Sequence, residues 1–113
     1  MTATDSLSSP SMDHLLDVLA NKYRRRVLVA LLEHNPQDDH DPQIPDNVNY
    51  EAEDLESLMI NMRHTHLPKL EDARFIEWDR ETNTVRKGPQ FEDIRPLLEL
   101  MENHADKFPD DWL

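Results

Sequence analysis

No cysteine occurs in the chain, and glycine occurs once, at Gly88. The first absence removes disulfide frameworks, thiol nucleophiles and thiolate zinc sites. The second removes glycine-rich phosphate loops and nucleophile elbows, which need glycine for close backbone approach. The six histidines contain no HExxH pair. His64 and His66 are two apart, which on a helix turns them about 200° from each other, so they cannot share a metal. No metal, cofactor or catalytic centre is expected, and the chain does not read as an enzyme. No apolar run approaches the roughly 18 residues needed to span a bilayer. The opening MTATDSLSSP lacks the basic and apolar regions of a signal peptide. Residues 1–11 therefore read as a disordered tail, and the compartment as the cytoplasm.

Positive charge is scarce as well. Twelve basic residues stand against 24 acidic ones, a net charge of −12 over 113 residues. Spread evenly, that excess would repel a polyanion. The distribution is uneven. Residues 36–56 hold eight acids and no base, and 89–113 hold seven acids and two bases, whereas 57–88 hold five acids and six bases. Only four bases are lysine, and Asp outnumbers Glu. This is the expected surface of a halophilic protein kept soluble in concentrated salt. At 1 M salt the Debye length is about 3 Å, which screens long-range repulsion from DNA.

Residues 12–20 place Leu15, Leu16, Val18 and Leu19 at helical spacing, with Ser11 or Asp13 as a cap. A second amphipathic helix follows over 22–34, where Val27, Leu28, Leu31 and Leu32 form a stripe beside Ala30. Its first turn carries Lys22, Arg24, Arg25 and Arg26, at the wrong end for the helix dipole. Those bases are expected to meet either the acidic loop or a phosphate. Three prolines among acids make 35–50 a long polar loop. Residues 51–73 return to helical period through Leu55, Leu58, Met59, Met62, His66 or Leu67, and Leu70. Pro68 interrupts that pattern: the helix either kinks there or restarts near Thr65. The period then changes. Residues 75–79 and 84–88 read as two short strands around the turn RETN, with Asn83 at positive φ. A last helix over 92–106, with Pro96 in its first turn, carries an apolar arc wider than a thin domain covers. Leu97, Leu98, Leu100, Met101 and His104 are its expected homodimer interface. Phe108 and Trp112, in the tail 107–113, are either anchors or frayed ends.

Helix, helix, loop, helix, two-stranded β-hairpin, helix is the order of a winged helix-turn-helix, mainly α, here over residues 12–106 with the wing at 75–88. The run His66-Leu67-Pro68-Lys69-Leu70-Glu71-Asp72-Ala73-Arg74-Phe75 resembles the end of the recognition helix in arsenic-repressor-like regulators. Together with LDVLANKYRRRVLVALLEH (16–34) it is more closely similar to a family of small haloarchaeal winged-helix proteins, largely of unknown function. Two departures from the regulator pattern stand out. Arg74 occupies the usual helix-ending glycine position, and the proline-rich loop stands where the first helix of the motif belongs. The resemblance implies a transcriptional regulator that binds double-stranded DNA. Asn61, Arg63, His64, Thr65 and Lys69 would lie on the recognition helix, and Arg80, Asn83, Arg86 and Lys87 on the wing. The alternative is a winged-helix module that binds a protein partner and no DNA. His66 is expected to be a packed histidine bridging helix and wing.

Overall fold

The computed structural model describes residues 10–35, 37–38 and 52–113. The predicted disordered tail lies outside them except for its last two residues, and so does most of the predicted acidic loop. Helix α1 (Met12–Leu19) starts at Ser11, whose Oγ accepts the His14 N–H at 3.1 Å. Leu15, Val18 and Leu19 face inward. Helix α2 (Lys22–Glu33) is capped by Asn21, whose Oδ1 accepts the N–H groups of Tyr23 and Arg24 at 2.8 and 3.3 Å. These caps satisfy donors that a helix start otherwise leaves unpaired. Val27, Leu28, Val29 and Leu31 are all buried. An arc that wide marks a central helix, and α2 packs on α1, on the last long helix and on the C-terminal turn.

The backbone is extended at His34, and Gln37–Asp38 form a short strand, β1. The sequence pattern places these two residues in a loop. A two-residue strand has no periodicity to detect, and only its antiparallel pairing with Val85 and Thr84 defines it. Among the described residues the sheet therefore has three strands in the order β1-β3-β2, with β2 at Ile76–Asp79 and β3 at Thr84–Lys87.

Between β1 and β2 runs the helix interrupted by Pro68. Pro68 falls in the first turn of a new α-helical segment, as the second alternative has it, and a π-helical turn joins that segment to the one before it. Helix α3 (Ala52–Asn61) passes into a π-helical turn, Met62–His66, and then into α4 (Leu67–Asp72), with right-handed helical backbone at Asn61, His66 and Leu67. The Leu67 N–H reaches back five residues to the Met62 carbonyl. The wider turn accommodates the proline ring, which in a regular helix would strike the His64 carbonyl. The extra residue also turns both His66 and Leu67 inward, beside Leu58, Met62 and Leu70.

The rod ends in a Schellman motif: Arg74 N–H bonds the Glu71 carbonyl, Phe75 N–H bonds the Leu70 carbonyl, and the buried side chains of Leu70 and Phe75 accompany it. Arg74 holds φ 66° at the position where glycine is usual. Gly88 is needed elsewhere. A Cβ there would lie 2.5 Å from the Arg74 carbonyl oxygen and within 2.9 Å of Ile76 backbone atoms, where Gly88 N–H closes on the Phe75 carbonyl.

Helix α5 (Phe91–Asn103) buries Phe91, Ile94 and Leu98. Pro96 falls inside the helix, past its first turn, because the helix starts at Phe91. Two 3₁₀ turns, Ala105–Lys107 and Asp110–Trp112, follow. They bring Trp112 and Leu113 against the core, so this end is anchored.

Candidate nucleic-acid interface

The run Arg24–Arg26 is used inside the fold. Arg24 donates from Nε to the Val18 carbonyl, from Nη2 to the Asp17 carbonyl, and from Nη1 to Nδ1 of His66, at 2.8, 3.0 and 3.2 Å. Arg25 binds the carbonyls of Leu19 and Trp112, and Arg26 that of Leu113. The guanidinium groups of Arg24 and Arg25 thus cap the C-terminal carbonyls of α1, where a cation is favourable to the helix dipole. The expected phosphate contact is thereby corrected for these two arginines, and the acidic loop, the other expected partner, lies mostly outside the described residues. The reason is tertiary: α1 ends where α2 begins, and folding back aims its last carbonyls at the start of α2.

His66 is buried, and its partner is Arg24 on α2, not the wing. Arginine can only donate, so Nδ1 of His66 accepts and Nε2 carries the proton. Burial, and then the Arg24 charge, push the imidazole below its ordinary pKa.

The other expected residues occupy the solvent side of the rod and the wing. Asn61, His64 and Thr65 are exposed at helical spacing, opposite buried Leu58, Met62 and Leu70. Lys69 shares an open concavity with His64, Thr65 and Pro68, with His14 of α1 on its rim. Its ammonium pairs with Asp17 at 2.8 Å. That pairing, by hydrogen bond and charge, lowers the Asp17 carboxyl below its usual range.

In the wing, Ile76 and Trp78 turn inward and Glu77 outward, as alternation predicts. Asp79 accepts the N–H groups of Glu81 and Thr82 at 2.9 and 3.2 Å, and these bonds depress its pKa. Asn83 is half-buried at φ 58°, which makes it a turn-forming residue first. The indole of Trp78 joins helix to wing: the Arg80 guanidinium lies 3.9 Å from its ring centroid and that of Arg63 lies 5.3 Å away. Each such contact is worth roughly 0.5–1 kcal/mol near the surface and fixes the plane of the guanidinium. Arg80 also pairs with Glu71 at 3.2 Å. Arg86 is exposed and stands across the strands from Glu77. Lys87 places its ammonium 5.1 Å from the Phe91 ring, and its backbone N–H bonds Asn35. A second groove collects Arg74, Arg80 and Arg86 with Glu71, Glu77 and Trp78.

Arg74, Trp78, Asp17, Glu71 and His14 were not singled out for this surface from the sequence. Arg74 carries a local signal, a base at a helix C′ position beside the wing. Asp17 and Lys69 are too far apart in the chain for any local pattern to join them. Of the expected dimer residues, Leu98 is fully buried in its own core, Leu97 and Met101 are partly buried against it, and Leu100 and His104 are exposed. Among the described residues no cluster of three metal-ligating side chains forms, and no helix is long and apolar enough to cross a membrane.

Among the described residues, a helical rod followed by the β2–β3 hairpin of a three-stranded sheet defines a mainly α winged helix-turn-helix module. Residues 16–86 match a domain of unknown function (DUF7344), and the chain belongs to that family. The matched span runs from within α1 into β3 of the wing and stops before α5. No curated protein and no solved structure matches the chain.

Proposed function

We propose that this protein is a DNA-binding transcriptional regulator and not an enzyme. The rod from Asn61 to Lys69 enters the major groove, and the wing rests on the backbone or in the minor groove. One observation carries this reading. Six of the twelve bases, Arg63, Lys69, Arg74, Arg80, Arg86 and Lys87, lie between residues 63 and 87, and none is buried, whereas Arg24 and Arg26 are. The carboxylate partners of Lys69 and Arg80 are on the surface. Exposed pairs of this kind are worth about 0–1 kcal/mol and exchange readily for phosphate. Asn61, His64 and Thr65 have the side-chain chemistry to meet base edges.

Titrating a fluorescent duplex with protein over a range of KCl concentrations tests the proposal. Alanine at Arg80, Arg86 or Lys87 should weaken binding to all duplexes alike, as expected for phosphate contacts. In a halophilic cytoplasm, screening would remove the long-range penalty of the acidic surface.

The rival is a protein-binding module, favoured by the carboxylates of Asp17, Glu71 and Glu77 interleaved with the bases. Absence of duplex binding at every salt concentration, with a stable protein partner recovered instead, would establish it. A homodimer through α5 is part of the same proposal, its contact narrowed to Leu100 and His104 with the exposed edges of Leu97 and Met101. Leu100→Glu should convert it to a monomer in sedimentation.

A further inference from the structure

We propose that Asp17 and Glu71 act as internal stand-ins for DNA phosphates, holding Lys69 and Arg80 in a charge-neutral state that must be exchanged when a duplex binds. This inference rests on the DNA-binding reading and names the residues that regulate it.

The two pairs flank the C-terminal end of the rod. Lys69 and Glu71 both belong to α4, two residues apart, and each has its partner on a different element. Lys69 reaches Asp17 of α1 at 2.8 Å, and Glu71 receives Arg80 from the wing at 3.2 Å. Neither base is remote from the surface in question. Lys69 shares its concavity with His64 and Thr65, and Arg80 shares its groove with Arg74 and Arg86. Both carboxylates are placed where a phosphate oxygen would have to arrive: they accept from the groups that would donate to DNA. All four side chains keep at least a third of their surface exposed, so the pairs open without unpacking the core.

The consequence is a distinctive salt dependence. A free base brought to B-DNA releases about 0.9 of a counterion, which gives the usual steep loss of affinity with salt. A base that arrives with its own carboxylate delivers no net charge. Each of the two pairs should therefore make the wild-type slope of log affinity against log salt about 0.9 shallower than it is with the carboxylate removed. Weaker binding in dilute salt is the cost, and better retention in concentrated salt is the result.

The test measures anisotropy of a labelled mixed-sequence duplex from low to molar KCl with wild type, Asp17→Asn, Glu71→Gln and the double variant. Glu92→Gln, which removes a carboxylate paired with Arg95 on α5, reports the general effect of lost negative charge. Asp17→Asn in a Lys69→Met background reports whether the effect passes through Lys69. Each of the first two substitutions should tighten binding about two- to fivefold beyond Glu92→Gln, and steepen the slope by about 0.9. The Asp17→Asn effect should vanish without Lys69. Binding by the double variant where wild type shows none also supports the proposal. Equal tightening with and without Lys69, or unchanged affinity and slope where wild type binds, overturns it and leaves the DNA reading standing. If neither wild type nor any variant binds at any salt, the DNA reading falls, and this proposal with it.

Discussion

Arg74→Gly should make the protein more stable while weakening the duplex binding proposed for it. Arg74 sits at φ 66°, at the C′ position of a Schellman motif. A side chain with a Cβ in that region costs roughly 1–2 kcal/mol relative to the right-handed region, a penalty glycine escapes. Glycine also adds freedom to the unfolded chain, which takes back about 0.4–1 kcal/mol. The net expectation is a gain of about 0.5–1 kcal/mol, or roughly 2–8 °C in Tm for a domain of this size. Little is lost in compensation, because the Arg74 side chain is exposed and among the described residues its guanidinium holds no hydrogen bond or ion pair. The carbonyl that accepts Gln90 N–H at 2.9 Å is backbone and stays in place. Arg74→Ala is the control, since it removes the guanidinium but keeps the Cβ and therefore the strain. Urea unfolding of the three proteins should rank Gly above Arg, with Ala no better than Arg. In duplex titrations both variants should fall below wild type. A glycine variant no more stable than the alanine one would refute the strain argument. Unchanged duplex affinity in both would remove Arg74 from the interface.

Three further expectations follow from the packing. Gly88→Ala should cost about 2–4 kcal/mol, read as a drop in the urea midpoint, because its methyl group meets backbone rather than a flexible side chain. Arg24→Met should destabilise by about 2–3 kcal/mol, since it strands two carbonyls and the His66 acceptor. Arg26→Met should be near neutral or stabilising, because its buried Nε and Nη1 have no hydrogen-bond partner. A fourth concerns pH. His66 folds as the neutral form with its pKa lowered, so below the ordinary histidine pKa of about 6.5 the unfolded chain binds the proton first. The contribution of His66 is therefore complete above that pH and declines as the pH falls toward the folded value. His66→Gln, which keeps an acceptor for Arg24, should flatten the stability profile between about pH 7 and 5 relative to wild type.

Much of this architecture was legible in one dimension because its causes are local. The alternation of Ile76, Glu77 and Trp78, the stripe of Leu58, Met62 and Leu70, and the cap at Ser11 each express a period or a side chain acting within four residues. Asn83 at positive φ belongs with them, since a tight turn without glycine leaves few alternatives. The clustering of accessible bases between 63 and 87 could also be counted from the letters. Other features needed the folded chain. Pro68 signalled an interruption, but the π-helical turn before it, with His66 and Leu67 both buried, shows only in the folded chain. In the letters the arginine run could meet either the acidic loop or a phosphate; its bonds to backbone carbonyls of α1 and of the C-terminal turn exist only in the folded chain. Asp17 and Lys69 meet only because α1 packs beside the rod. Periodicity and capping are encoded by neighbours in sequence, whereas the partner of a long charged side chain is whichever group the tertiary fold brings within its reach.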